Sequence, residues 1–118
     1  WDGLLLDHTS ADPLARRSLR VAMGTAFVLP HARTSRLGDT IRAMSDRTVY
    51  ALTPDPSATD LRAVRPAGRR AIVIGSERAG LSADVLAITT PVRIPMTGGV
   101  DSLNAAAAAA VACYALSA

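Results

Sequence analysis

Two stretches in the second half of the chain restrict its fold more than any other feature. Residues 71–82 read Ala-Ile-Val-Ile-Gly-Ser-Glu-Arg-Ala-Gly-Leu-Ser. Residues 92–104 read Val-Arg-Ile-Pro-Met-Thr-Gly-Gly-Val-Asp-Ser-Leu-Asn and run straight into six alanines. Each is a short apolar run followed by a glycine-bearing loop and then a helix pattern. Strand, loop and helix in succession predict an α/β domain, and ligands in such folds bind beyond the carboxyl ends of the strands. Gly75, without a Cβ, is expected to let a ligand approach the backbone. Gly80, Gly98 and Gly99 permit turns that other residues resist. Asp101 or Ser102 is expected to cap the last helix. Glu77 is the only glutamate and Asn104 the only asparagine, and both fall in these two loops.

The rest of the chain supplies the remaining elements. Gly3-Leu4-Leu5-Leu6 suits a buried parallel strand. Asp12 followed by Pro13 predicts a helix start, the helix continuing to Ala22 and ending at Gly24. Residues 26–29 read as a second strand, closed by Pro30. Residues 35–44 place Leu37, Ile41 and Met44 on one helical face. Residues 48–52 form a third strand, and residues 53–58 a loop by composition. Residues 60–68 read as a basic, irregular approach to the strand around Ile72. Ser82 caps a helix over 83–88, and residues 92–94 are the last strand. The sum is one α/β domain, residues 1–118, with a mostly parallel sheet flanked by helices.

Composition adds limits. At 49% hydrophobic residues the chain can build a core, and with few aromatics that core must be Leu, Val, Ile and Ala. All 13 basic residues are arginine and the formal charge is +3. Arginine suits phosphate through its paired donors, and a GC-rich coding sequence produces the same bias, so the count decides nothing. One cysteine, Cys113, excludes an internal disulfide and reads as a small core residue. His8 and His31 lack metal-ligand spacing and read as surface residues. No uncharged run is long enough to span a membrane, and the default expectation is a cytoplasmic protein. Starting at Trp1, the sequence reads as part of a longer protein.

The two stretches resemble a known pair of motifs. Residues 74–82, Ile-Gly-Ser-Glu-Arg-Ala-Gly-Leu-Ser, are similar to the second motif of the SpoU family of RNA ribose methyltransferases. Ile94-Pro95-Met96-Thr97-Gly98 with Asp101-Ser102-Leu103-Asn104-Ala105 is similar to the third. Asp12-Pro13, Arg20, Gly24, Phe27 and Pro30 also match the family, whereas Ala22 stands where a serine is usual. The resemblance implies a C-terminal trefoil knot and a homodimer. It also implies transfer of a methyl group from S-adenosylmethionine to a ribose 2′-hydroxyl of tRNA or rRNA. Carried over by position, Leu52, Thr53, Gly75, Ile94, Met96 and Leu103 would hold the cofactor. Glu77, Ser102 and Asn104 would line the catalytic centre.

Plainer readings stand beside these. Glu77 could favour a helix dipole, Ser102 and Asn104 could be caps, and Arg78 reads equally as an RNA contact or a solvated surface residue. The family's first motif, Asn-x-Gly-x-x-x-Arg, has no match. It carries the arginine thought to help activate the hydroxyl. Its absence leaves open a catalytically inactive module that binds RNA and dimerises, and a chance resemblance on an ordinary nucleotide-binding domain is the remaining alternative.

Overall fold

The computed structural model describes residues 1–117. They fall into two compact units, Trp1–Thr40 and the chain from Ile41 onward. In the first unit β1 (Leu4–Asp7) pairs in parallel with β2 (His31–Thr34), Leu4 opposite His31 and Asp7 opposite Thr34. Between them lie α1 (Arg16–Ala22) and a 3-10 turn, Thr25–Phe27. Asp12 does start a turn, its carboxylate accepting from the Leu14 amide at 2.9 Å, but the helix begins only at Arg16.

The strand expected at 26–29 does not form. Met23 and Gly24 both adopt positive φ, 50° and 83°, which ends α1 and folds the chain into the 3-10 turn. There the Val28 and Leu29 amides donate to the Thr25 carbonyl. The Leu4 amide donates to the Pro30 carbonyl at 2.9 Å, so pairing with β1 starts at Pro30 and the strand follows it. Apolar composition alone had suggested the wrong segment. Arg33 holds the loop after β1 by donating to the Asp7 and Ser10 carbonyls at 2.9 and 2.8 Å. Hydrogen bonds from Ser10 and Thr9 keep the Asp7 carboxyl below its ordinary range.

Helix α2 (Leu37–Ala43), with Ile41 buried as its face predicted, leads into the second unit. That unit holds β3 (Arg47–Leu52), β4 (Thr59–Asp60), β5 (Arg69–Ile74), α3 (Ala83–Ala87), β6 (Thr90–Arg93) and α4 (Ala105–Ala115). The strands lie in the order β4-β6-β3-β5, and every pairing is parallel. β3 is central, and Val49, Tyr50 and Ala51 are all buried, as befits a strand covered on both faces. β4, only two residues long, was not legible as a strand. Ser82 caps α3 as expected, its Oγ accepting from the Val85 amide at 3.3 Å.

The core joins Tyr50, Leu61, Val92, Ala112 and Leu116. Helix α4 packs on β5 and on the short 3-10 helix Leu61–Ala63. Its alanines let the helix axis come close to the strand, and Ala112 and Leu116, one turn apart, are both fully buried. Cys113, half-buried beside them, is free of any disulfide.

Two outcomes follow. Leu116→Ala should destabilise the protein by about 2–5 kcal/mol, because it leaves a void beneath the sheet; denaturant titration measures the loss. Asp60 accepts from the Arg62 amide at 2.9 Å and from its guanidinium, and these bonds lower its pKa from 3.8 to about 2. A depressed carboxyl stabilises the folded state fully above its unfolded pKa. That contribution should disappear as pH falls from near 4 through about 2, and Asp60→Asn should remove this part of the acid limb in stability measured against pH.

Candidate functional site

The carboxyl ends of three parallel strands form the site. Leu52 of β3 stands opposite Ile74 of β5 on one side and Val92 of β6 on the other. The strands therefore finish at one level, and Thr53, Gly75 and Ile94 begin the loops beyond them. The Thr53 amide donates to the Val92 carbonyl at 3.0 Å, which ties the first loop to the sheet. The chain visits β5 on one side of β3 and later β6 on the other, and a crevice opens at such a switch in direction.

A cavity of about 780 Å³ occupies that crevice. All nine residues singled out from sequence line it: Leu52, Thr53, Gly75, Glu77, Ile94, Met96, Ser102, Leu103 and Asn104. Leu52, Ile74, Ile94, Met96 and Leu103 give apolar walls, while Thr53, Ser102 and Asn104 contribute polar groups. Glu77, Arg78 and Asp101 bring charges of both signs. Leu86 of α3 and Ala108 of α4 also line it and were not anticipated. Ala108 follows Asn104 by one helical turn, the only sequence signal that pointed to it. Among the described residues no group of His, Cys, Asp and Glu is arranged to hold a metal ion.

The loop after β5 folds back on itself. Residues 76–80 make a tight turn closed by a Ser76–Gly80 bridge, the Gly80 amide donating to the Ser76 carbonyl at 3.0 Å. Glu77 sits in this turn, exposed, and not in the first turn of a helix; α3 begins only at Ala83. Gly75 also has a role within the turn. A Cβ there would overlap the backbone of Gly80 and Leu81, so the missing side chain lets the turn fold back onto the strand end. Gly80, Gly98 and Gly99 all have positive φ, in keeping with the turn reading.

Asn104, and neither Asp101 nor Ser102, caps α4. Its Oδ1 accepts from the Ala106 and Ala107 amides at 2.9 and 3.3 Å. This leaves its Nδ2 group as a donor, with no partner among the described residues. Ser102 Oγ and the Glu77 carboxylate are likewise without a partner there. Apolar walls with a few unengaged polar groups suit a ligand with a flat ring and a polar tail.

The chain has clear relatives. The model of the SpoU rRNA Methylase family matches residues 1–114. An uncharacterised tRNA/rRNA methyltransferase of Mycobacterium bovis is 39% identical over 119 residues, covering 96% of this chain and 41% of that protein. The 23S rRNA (guanosine-2′-O-)-methyltransferase RlmB of Photobacterium profundum is 30% identical, covering 94% of this chain and 46% of RlmB. The AdoMet-bound rRNA methyltransferase of Sinorhizobium meliloti superposes with a TM-score of 0.88 at 25% identity, over 98% of this chain and 45% of that one. The SpoU methyltransferase AviRb of Streptomyces viridochromogenes, in complex with AdoMet, gives 0.79 at 28% identity, over 97% of this chain and 46% of AviRb. The chain thus spans less than half the length of these relatives. A family match over nearly all its residues, on a parallel α/β fold whose strand ends enclose the paired motifs, excludes chance resemblance: the chain belongs to the SpoU rRNA methylase family.

Proposed function

We propose that this chain is the catalytic part of a cytoplasmic RNA methyltransferase that moves a methyl group from S-adenosylmethionine to a ribose 2′-hydroxyl of tRNA or rRNA. The observation that carries the reading is the convergence of both motif loops and the end of β3 on one cavity. Its size lies within the roughly 300–1,000 Å³ usual for small-molecule sites. The residues fit the cofactor: Leu52, Ile94, Met96 and Leu103 offer a slot for adenine, and Thr53 with the Gly75 loop offers backbone groups at its edge. When bound, S-adenosylmethionine supplies an electrophilic methyl group on its sulfonium sulfur.

This chain's own residues then have separate tasks. The apolar walls exclude water and fix the donor's position, and alignment of donor and acceptor is the larger part of the rate gain. Glu77, Ser102 and the Nδ2 of Asn104 orient the ribose and the polar end of the cofactor. Proton removal falls to the first-motif arginine, for which this sequence holds no match. The family relationship further supports a homodimer with α4 near its two-fold axis, and a knot in which the chain after Met96 threads beneath the loop at residues 52–54.

Calorimetry on the 118-residue chain tests the reading. S-adenosylmethionine or its demethylated product should bind, and no heat with either would refute it. Tritiated methyl transfer to bulk tRNA and rRNA should be slower than that of a relative bearing the first motif, by on the order of 10²–10⁴-fold, the contribution of a positioned base. A rate equal to that relative's would place the base within residues 1–118.

Substitutions separate the loops' roles. Gly75→Ala should abolish cofactor binding by displacing residues 76–81 while leaving the sheet's circular dichroism intact. Asn104→Ala should cost about 1 kcal/mol of stability through the lost cap. Asn104→Ser, which keeps a capping oxygen but lacks the amide donor, should restore that stability and still lower methyl transfer. If Asn104→Ser transfers normally, the residue is a cap only.

A further inference from the structure

Arg78 is the only basic side chain that lines the cavity at the strand ends. It is exposed, and it has no hydrogen bond or ion pair among the described residues. Groups of opposite charge share that lining: Glu77 precedes it in the turn, and Asp101 lies across the loop before α4. Neither carboxylate pairs with it. Elsewhere in the same unit Asp46 and Asp60 do take up guanidinium groups, those of Arg47, Arg69 and Arg62, at 2.6–2.9 Å.

The turn fixes where Arg78 stands. The Gly80 amide donates to the Ser76 carbonyl at 3.0 Å, and the Ala79 amide donates to Ser76 Oγ at 3.2 Å. Gly75 lets the closed turn pack against the end of β5. Arg78 is the middle residue of the five, and its side chain takes no part in closing the turn. An arginine engaged by neither backbone nor carboxylate, in the lining of a binding cavity, is free to meet an anion of the ligand.

Two anions reach such a cavity. S-adenosylmethionine has a carboxylate, but its ammonium and sulfonium give it a net positive charge. A lining with Glu77, Asp101 and Arg78 is net negative and suits that molecule as a whole without help from Arg78. RNA is different. Each ribose within a strand carries a phosphodiester on the carbon next to the one bearing the 2′-hydroxyl, so a ribose enters the cavity only with a phosphate beside it. Glu77 and Asp101 repel that phosphate. Arg78 is the one group in the lining that offsets the repulsion, and its fork matches two phosphate oxygens.

We infer that Arg78 is a positioning residue that grips the phosphodiester next to the ribose being methylated. The inference rests on the RNA-methyltransferase reading and deepens it, because it names the group that sets the approach of the strand to the cavity.

Fluorescence anisotropy with an unstructured RNA oligonucleotide over a series of KCl concentrations reads the contact. Arg78→Gln should weaken binding roughly tenfold. It should also flatten the slope of log affinity against log salt by about 0.7, the share of one phosphate contact. Arg78→Lys keeps the charge and should keep the slope. When neutral methylphosphonates replace the phosphodiesters, wild type and Arg78→Gln should bind alike, since the group read by the guanidinium is gone. Arg36→Gln removes an exposed guanidinium already paired with Asp39 and should leave the slope unchanged. In methyl transfer Arg78→Gln should raise KM for RNA and lower kcat together, the mark of a contact at the reacting nucleotide. Calorimetry with S-adenosylmethionine should not distinguish the variants from wild type. Thermal melts should show them folded, because neither arginine is buried.

An unchanged salt slope in Arg78→Gln, or equal flattening in Arg36→Gln, overturns the inference. Loss of cofactor heat in Arg78→Gln does so too, by assigning the guanidinium to the cofactor's carboxylate. A raised KM with kcat unchanged moves the phosphate away from the reacting ribose and also overturns it. Cofactor heat with RNA binding indifferent to Arg78 defeats this inference alone. Absence of cofactor heat in the wild-type chain defeats the methyltransferase reading, and the salt slopes still report whether Arg78 holds a phosphate.

Discussion

The parallel pairing of β3 with both β5 and β6 is the constraint on which the second unit depends. Because Leu52 is in register with Ile74 and with Val92, three loops leave the sheet at the same level and must share the space above it. A parallel sheet cannot use tight hairpins, so each return to the next strand requires a crossover. Those crossovers carry the glycine turns and helix starts that wall the cavity. β3 is hydrogen-bonded on both sides and buried at Val49, Tyr50 and Ala51, so it anchors the sheet.

Above that frame the loops are shaped by backbone packing more than by charge. Gly75 allows the turn at 76–80 to close against the end of β5, and Gly80 takes the positive φ that closes it. On the other side Gly98 and Gly99 turn the chain toward α4, where Asn104 satisfies two amides of the first turn. Asn104 thus joins the integrity of the last helix to the wall of the cavity. One residue serves both because the mouth of a helix presents free N–H groups and faces the strand ends at once. The small side chains that follow it let α4 lie close to β5 and so bring that mouth over the cavity.

Charge is handled differently in the two units. Around the sheet, aspartates hold Arg47, Arg62 and Arg69 in the pairs Asp46–Arg47, Asp60–Arg62 and Asp46–Arg69. Arg16, Arg17 and Arg20 on α1 have no such partner among the described residues, and Met23, Phe27 and Val28 in the turn that follows are exposed. The formal charge of +3 alone could not distinguish these arrangements, because it sums paired and unpaired groups alike.

Sequence by itself determined the α/β class, the presence of β1, β3, β5 and β6, the Ser82 cap and the nine named residues that line the cavity, although β1 was expected to be buried and its Leu4 is exposed. The local signals there are strong: β-branched and leucine runs, glycines at obligatory turns, and two motifs whose spacing identifies a family. Tertiary structure decided what local pattern leaves open. Residues 26–29 are apolar enough for a strand, yet the positive φ at Met23 and Gly24 and the pairing of Pro30 with Leu4 moved the strand to His31–Thr34. Asp101, Ser102 and Asn104 are all competent caps, and only the path of the loop selected Asn104. Gly75 lines the cavity, and the close approach of Gly80 and Leu81 to it became visible only once the turn had folded back. In each case backbone geometry, set by partners distant in sequence, chose among options that propensity ranks as equal.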